Sequence, residues 1–265
     1  AIINTALQKG LTLKMLASAV LSLNSYDSSS MSFLTKGSST QTNNQFSAIQ
    51  LPDNVTFSDY AFYGQYKMSV INIPNVTGSL GSRAFYNCNA LRAIVLPSGL
   101  TSIGSYAFSN CYSLKEIVLP SGITDIVTFA FQNCYGLKEI VLPSGLTSIG
   151  SSVFYNCYGL KEIVLPSGLT SIGTGAFRFC CSLSEITLPS GIDAIQSNTF
   201  DGCSSLKKVV IEKTNAVVTL ANTNAFSSTN ADLKIYVPDA LINDYKMETN
   251  WNTYANYIYP ISEMV

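Results

Sequence analysis

The stretch LKEIVLPSGLTSIG decides the fold, because it occurs twice without a single change, at Leu137–Gly150 and at Leu160–Gly173. The two copies begin 23 residues apart, and a nearly identical third copy begins at Leu114. A fixed period of this length is typical of a solenoid, in which each unit buries its apolar face only against its neighbours. The chain repeats because each coil is the surface on which the next coil packs.

Three further residue types keep the same period along the chain. They are the cysteines Cys88, Cys111, Cys134, Cys157, Cys180 and Cys203, the prolines Pro74, Pro97, Pro120, Pro143, Pro166 and Pro189, and the phenylalanines Phe62, Phe85, Phe108, Phe131, Phe154, Phe177 and Phe200. Structural metal sites use short paired spacings that bring four ligands together. An even step instead places one thiol per coil in a row, so we interpret cysteine as a repeat position and predict no metal or other cofactor.

One unit illustrates the predicted coil. Leu114, Ile117 and Leu119 alternate inward as a short strand requires, and the following Leu-Pro-Ser-Gly predicts a type I turn with Pro120 second and Gly122 fourth. A second extended segment and the pair Ala130-Phe131, one small and one large core residue, follow. The last core residue of the unit is Cys134, a small buried thiol. The side chains expected to face the core are Leu114, Ile117, Leu119, Ile123, Ile126, Ala130, Phe131 and Cys134.

The pattern LxxIxLPxGLxxIxxxAFxxC resembles the bacterial leucine-rich repeats of the BspA-like type. Strong copies cover residues 80–205, and weaker ones extend over 46–238. The resemblance implies a right-handed leucine-rich-repeat solenoid of short parallel strands and turns with few helices. It also implies a secreted or cell-surface protein of a host-associated bacterium. The sequence departs from the general leucine-rich consensus at Gly122 and its equivalents, where Asn or Cys usually satisfies the backbone.

The repeat pattern divides the chain into three parts. Residues 1–45 are expected to form a helical N-terminal cap and linker, residues 46–238 the solenoid of about eight to nine coils, and residues 239–265 a C-terminal cap. The segment LKIYVP (233–238) is predicted to be the last strand of the stack. The Pro238-Asp239 start and the spacing of Leu241 and Tyr245 favour a helix that covers the last coil.

Composition excludes several classes of function. The formal net charge is −1 and only 12% of the residues are charged, so nothing favours nucleic acid as a partner. The chain has no histidine, which removes the commonest general base and metal ligand, and it has no GxSxG or phosphate-binding motif. We therefore predict that it is not an enzyme. The long apolar run Leu11–Leu23 is about half the length that spans a bilayer, so we predict no membrane span.

Outward positions of the repeat supply the candidate binding residues. Tyrosine follows three successive cysteines, and the strand KEIV offers rows of lysine, glutamate and valine; the candidate residues are Tyr112, Tyr135, Tyr158, Lys115, Lys138, Lys161, Glu116, Glu139, Glu162, Val118, Val141 and Val164. The Glu row continues to Glu185, and the valine row is expected to include Val95 and Val210. Exposed tyrosines are enriched at protein interfaces. The alternative is a solvated, self-neutralising surface with tyrosines that only stack on one another. Cys181, at a tyrosine position, is the thiol expected to be most exposed.

Several functions remain open from the sequence alone. The resemblance favours a protein that binds extracellular macromolecules, such as host matrix proteins or proteins of neighbouring cells, through repeated weak contacts along an extended face. A second reading is a structural spacer for a module elsewhere in a longer protein. A third is the receptor-recognition part of a phage or secretion appendage. A glycan ligand for the tyrosine row is conceivable, but no other feature indicates it.

Overall fold

A computed structural model describes residues 59–73 and 77–264 of the chain. The predicted helical segment 1–45 and most of the weak first unit lie outside the described residues. Within them the chain is a solenoid with many short parallel strands, as the repeat pattern predicts.

Most coils contribute one short strand to each of two sides of the stack. In chain order the strands are β1 (Val70–Asn72), β2 (Thr77–Leu80), β3 (Ala93–Val95), β4 (Gly99–Ile103), β5 (Glu116–Val118), β6 (Asp125–Ile126), β7 (Glu139–Val141), β8 (Ser148–Ile149), β9 (Ser171–Ile172), β10 (Glu185–Leu188), β11 (Ala194–Ile195), β12 (Lys208–Ile211), β13 (Thr219–Leu220), β14 (Lys234–Val237) and β15 (Ile258–Pro260). One side carries the sheets β1-β3-β5-β7 and β10-β12-β14-β15, and the other carries β2-β4-β6-β8-β9 and β11-β13. Every pairing is parallel, and equivalent residues of neighbouring coils meet, as Glu116 meets Glu139.

A column of phenylalanine rings runs through the core. Adjacent rings lie nearly parallel, with centroids 5.0 Å apart at the first step and 5.7 Å at the widest; the column is Phe62, Phe85, Phe108, Phe131, Phe154, Phe177, Phe200 and Phe226. The core positions of the model unit, Leu114 to Cys134, are all buried as predicted. Burial of the same or similar apolar residues at each position gives the coils similar cross-sections, so they stack on one another.

The repeat cysteines form hydrogen bonds between neighbouring coils. The thiol of each of the six repeat cysteines donates a hydrogen bond to the phenylalanine carbonyl oxygen of the coil before it, for example from Cys134 Sγ to Phe108 O at 3.2 Å. The same bond recurs at Cys88, Cys111, Cys157, Cys180 and Cys203. The conserved geometry explains why the thiol keeps the period: it fills a small apolar space and satisfies a buried carbonyl at the same time.

The proline turn begins one residue later than the sequence pattern predicts. The amide of Ile123 donates to the carbonyl oxygen of Pro120 at 3.1 Å, so proline is the first residue of the turn and not the second. The same bond closes the turns at Pro143 and Pro166. The preceding leucine is therefore still in the extended segment, with its side chain in the core at Leu119.

The stack extends past the strand that the sequence marks as its last. Strand β15 pairs in parallel with β14, so Ile258 meets Ile235. Between them lie a 3₁₀ helix (Asp239–Leu241), the helix α1 (Ile242–Met247) and a second 3₁₀ helix (Trp251–Tyr257). Shorter 3₁₀ helices occupy Thr223–Phe226 and Ile261–Glu263.

Aromatic side chains of this C-terminal region cover the end of the core. Tyr245 and Trp251 are fully buried. The Tyr245 hydroxyl accepts a hydrogen bond from the Val218 amide at 3.0 Å, and Trp251 Nε1 donates to the Val218 carbonyl oxygen at 2.6 Å. The Trp251 ring also packs against Phe226, the last ring of the phenylalanine column. The backbone N–H and C=O of Val218 are thus both hydrogen-bonded to side chains, because no further coil is stacked on that side to pair with them.

The first side of the stack is interrupted at one coil. Residues 162–164 form no strand, and no backbone hydrogen bond involves any of the three, although they lie between the coils of β7 and β10. The interruption cannot come from the local sequence, because Leu137–Gly150 and Leu160–Gly173 are identical and the first of them contains β7. Two side-chain ladders also end at this coil: Phe179 follows Asn156, and Cys181 follows Tyr158, at the equivalent positions of the next coil.

Candidate binding face

The predicted site residues form four columns along the stack: the Glu and Val columns lie on β5, β7 and the equivalent residues of the next coil, the Lys column directly precedes them, and the Tyr column lies in the turn after each cysteine. We call this surface the four-column face; it consists of a Tyr column (Tyr112, Tyr135, Tyr158), a Lys column (Lys115, Lys138, Lys161), a Glu column (Glu116, Glu139, Glu162) and a Val column (Val118, Val141, Val164). All twelve residues are exposed. Inward Leu and Ile side chains of the same segments anchor the face to the core, so each column keeps a one-coil step set by strand spacing.

The Val column is exposed to an unusual degree for β-branched residues in a sheet. Val118 and Val141 are 67% and 62% exposed, and Val164, at the interrupted coil, is 83% exposed. Val95 continues the column by one coil at 69%. A row of apolar side chains at the same register is a surface that a partner could cover.

The valine row ends earlier than the sequence predicts. Val210 was expected to extend it but is buried. The reason is its neighbour in the sheet: Val210 pairs with Tyr236 of β14, whose large ring is itself buried. Val210 and Tyr236, in the sheet that contains β12, β14 and β15, are therefore buried, whereas the residues of the four-column face are exposed.

The Tyr column stacks face to face. The ring centroids of Tyr112 and Tyr135 lie 4.9 Å apart and those of Tyr135 and Tyr158 5.0 Å apart, with interplanar angles of 7° and 12°. Partial burial and the neighbouring phenols raise the pKa of Tyr112 and of Tyr135, so both hydroxyls stay neutral. Because the rings cover one another's faces, they present edges and hydroxyl groups outward.

The lysines and glutamates of the face form no ion pair with any residue that the structure describes. In the part of the chain that the structure describes, the ion pairs are Arg178–Asp201, Lys208–Glu185 and Lys213–Asp193. None of them includes a member of the Lys column or of the Glu column. Each lysine instead has lysines as its neighbours in the column, and each glutamate has glutamates, which is unfavourable for like charges on adjacent strands. The solvated surface considered from the sequence, on which the adjacent Lys and Glu columns offset one another's charge, stays the alternative interpretation.

An asparagine ladder on the coil corner escaped the sequence analysis. Asn110 Nδ2 donates to Asn87 Oδ1 at 2.6 Å, Asn133 to Asn110 at 2.7 Å and Asn156 to Asn133 at 2.8 Å. All four residues have positive φ, near 60°, which asparagine tolerates better than most residues. The signal was present, since asparagine precedes cysteine at four successive 23-residue steps.

A second aromatic cluster also lacked a sequence signal. The Arg83 guanidinium lies 5.5 Å from the Tyr60 ring centroid and 4.7 Å from that of Tyr106, and Tyr106 stacks on Phe129 at 4.7 Å. Tyr60, Arg83, Tyr106 and Phe129 hold the same position in successive coils, each with positive φ. Because the residue types differ from coil to coil, periodicity alone did not reveal the cluster.

The repeat cysteines are structural. Six of the seven thiols are buried, and Cys181 is half-buried. Burial raises the pKa of each buried thiol above its ordinary value, to about 12 at Cys88, which keeps the thiol protonated. Within residues 59–73 and 77–264 no group of three or more His, Cys, Asp or Glu residues could hold a metal ion. In the same residues no helix has the length and apolar character needed to cross a membrane.

Comparison with known proteins identifies the repeat. The sequence profile of the BspA type leucine rich repeat region matches residues 37–157 and 124–250, with six copies. The crystal structure of a leucine rich repeat protein from T. pallidum is 30% identical, with a TM-score of 0.59 over 72% of this chain and 86% of that one. The pneumococcal vaccine antigen PcpA has the same fold at 17% identity, with a TM-score of 0.50 over 81% of this chain and 77% of that one. No curated protein matches the chain.

Proposed function

Because this chain belongs to the BspA-type leucine-rich repeat family, we propose that it is a non-enzymatic surface or secreted protein that binds macromolecules of a host or of neighbouring cells. The family and the fold are typical of scaffolds that mediate protein interaction. The four-column face is the part of the chain to which we assign binding. The extracellular setting, the adhesive role and the identity of the bound molecules are all parts of this proposal.

One observation carries the assignment: the face exposes charges that have no ion-pair partner in the described residues next to apolar and aromatic columns. A partner that covers the face would remove valine side chains from water and supply counter-charges to lysine and glutamate. Tyrosine at the border is a residue type enriched at the centres of interfaces. Each contact would be weak, but the same contact recurs coil after coil, so the total affinity grows with the number of coils engaged.

The test is a binding screen of the purified chain against immobilised extracellular matrix proteins and surface extracts of neighbouring bacteria. The wild type is compared with two triple variants. One carries Tyr112→Ala, Tyr135→Ala and Tyr158→Ala, and the other carries Val118→Ser, Val141→Ser and Val164→Ser. We expect binding by the wild type and at least about a tenfold loss in each variant, the factor that corresponds to about 1.4 kcal/mol.

A matched control removes exposed side chains of the same three coils outside the face. Ser121, Ser144 and Ser167 are exposed turn residues and have no side-chain hydrogen bond in the structure. The variant Ser121→Ala, Ser144→Ala and Ser167→Ala should bind like the wild type. If the wild type binds and both face variants bind equally well, the four-column face is not the site. If the wild type binds nothing, the proposal fails and the spacer interpretation is favoured.

A further inference from the structure

We infer that the partner of the four-column face is a second copy of this chain. The inference rests on the proposed function, because it names the partner of the face to which binding was assigned. Its basis is the order of the columns across the strands, which is Tyr, Lys, Glu, Val in each of three successive coils.

The charge columns restrict the shape of a matching partner. Lysines repeat once per coil in one column and glutamates once per coil in the next, and no ion pair of the described residues includes any of them. A partner that neutralises both columns must present acidic and basic groups at the same step and in the opposite order. Globular proteins in general have no such regular step on their surface, whereas another copy of this solenoid has it by construction.

A two-fold rotation supplies the opposite order. The axis lies in the interface, parallel to the stacking direction and between the Lys and Glu columns. Rotation by 180° about it places the Glu column of the second copy over the Lys column of the first, and the Lys column over the Glu column. The interface is isologous, since each column contacts its complement in the other copy. A two-fold axis perpendicular to the columns would instead place lysine over lysine.

Two properties of the fold allow the columns to meet over their whole length. The three coils carry paired strands or stacked rings on both sides of the core: β5 pairs with β7 on one side, and β6 pairs with β8 on the other. Parallel pairing in register on both sides keeps equivalent residues of successive coils opposite one another, so each column continues in line from coil to coil. The Tyr column keeps its 5.0 Å step at Tyr158, and Lys161 N still donates to Lys138 O at 3.1 Å, so the interrupted coil stays in register.

The test is sedimentation equilibrium of the purified chain at low ionic strength, with charge variants of the face. We expect a dimer whose dissociation constant rises about tenfold or more between about 0.1 M and 1 M NaCl, because the screening length falls from about 10 Å to about 3 Å. Reversal of one column (Lys115→Glu, Lys138→Glu and Lys161→Glu) makes both columns acidic. Reversal of the other (Glu116→Lys, Glu139→Lys and Glu162→Lys) makes both basic. Each reversal should raise the dissociation constant about 100-fold or more, since like charges across an interface cost several kcal/mol.

Two combinations of these substitutions distinguish pairing of the Lys column with the Glu column from a general effect of charge. The two triple variants, mixed, should form a heterodimer, because one brings only acids and the other only bases. A variant with all six reversals exchanges the two columns, keeps the wild-type net charge, and should dimerise like the wild type. The control Ser121→Glu, Ser144→Glu and Ser167→Glu adds charge to the same coils outside the face and should leave dimerisation intact.

The outcomes separate self-association from binding in general. A wild-type chain that remains monomeric at low salt overturns the inference. A dimer that survives either triple reversal uses another surface and overturns it too. If the chain stays monomeric but binds a matrix protein through the four-column face, self-association fails and the proposed function stands. If the wild type dimerises as expected, and the mixture of the two triple variants and the variant with all six reversals dimerise too, the second copy is the partner.

Discussion

At the scale of single residues, the buried thiols give the most direct test of the cysteine ladder. Six cysteines are buried with raised pKa values, while Cys181 is half-buried at the position where the three preceding coils carry tyrosine. The thiolate is the reactive form, and burial disfavours both ionisation and access. We expect a thiol reagent at neutral pH to modify Cys181 in the native protein and the other six only after denaturation. Stoichiometry measured with and without denaturant checks this; rapid reaction of all seven native thiols would contradict the buried ladder.

The residue scale also shows a pair whose identities depend on each other. Phe179 holds the asparagine-ladder position of its coil with φ of 59°, and Gly202 holds it in the next coil with φ of 75°. A Cβ on Gly202 would lie 2.1 Å from the Phe179 ring. The left-handed backbone favours glycine there, and the space that the Phe179 ring takes excludes a side chain.

We expect Gly202→Asn to destabilise the protein strongly on its own and much less in the background Phe179→Asn. Asparagine tolerates the left-handed backbone, and without the ring the two new side chains can continue the ladder from Asn156. The coupling between the two substitutions should be about 0.5–3 kcal/mol. Urea unfolding of the two single variants and the double variant measures it. Additive effects would mean that Phe179 is not what excludes a side chain at Gly202.

At the scale of elements, the sequence predicted the features that recur with the 23-residue period, and it missed those that depend on contacts with neighbouring coils. The inward positions, the parallel strands and the exposed columns follow from which residue types recur, and they are found where expected. The burial of Val210 depends on Tyr236, which is 26 residues away and outside the strict repeat. The start of the turn at Pro120 depends on which carbonyl the next amide reaches, a choice that composition leaves open.

The interrupted strand shows the same limit in its sharpest form. Glu139–Val141 is a strand and residues 162–164 are not, yet the two segments and their flanking residues are identical. Identical neighbours give the amides identical intrinsic exchange rates, so any difference in protection comes from the surrounding coils. We expect the amides of residues 162–164 to exchange faster on average than those of Glu139–Val141, by about fivefold, the factor for roughly 1 kcal/mol per lost hydrogen bond.

Residue-specific hydrogen exchange by NMR is the measurement, because peptides from the two segments have the same mass. The backbone amides of Lys138 and Lys161 serve as an internal control, because each donates a hydrogen bond to the coil before it in the structure. Equal protection of the two segments would show that the strand continues through the coil.

At the scale of the whole molecule, the interruption marks a boundary between two parts of the stack. The asparagine ladder and the Tyr column end between the coil of Tyr158 and the coil of Cys181, and the sheet β1-β3-β5-β7 ends one coil earlier, at β7, while the phenylalanine column continues across the boundary. In a solenoid, stability is a sum of coil terms and interface terms between neighbours, so a weaker interface reduces the cooperativity between the two sides.

The single tryptophan allows this to be measured. Trp251 is buried at the C-terminal end, on the far side of the boundary from the four-column face. Leu137 and Leu206 hold the same repeat position on opposite sides of the boundary, and both are fully buried. Replacing either by Ala should cost about 2–5 kcal/mol, because each substitution removes the same buried atoms. Their effects on the signal from Trp251 should differ.

We expect Leu206→Ala to lower the urea midpoint of Trp251 fluorescence by more than Leu137→Ala does, and Leu137→Ala to lower the circular-dichroism midpoint by more than the fluorescence midpoint. The reason is that coils before the boundary can open while the C-terminal coils and their aromatic cover remain folded. The wild type, followed by both signals, is the reference. If both variants shift both signals equally, the interface at the interrupted coil is as strong as the others, and the solenoid unfolds as one unit across it.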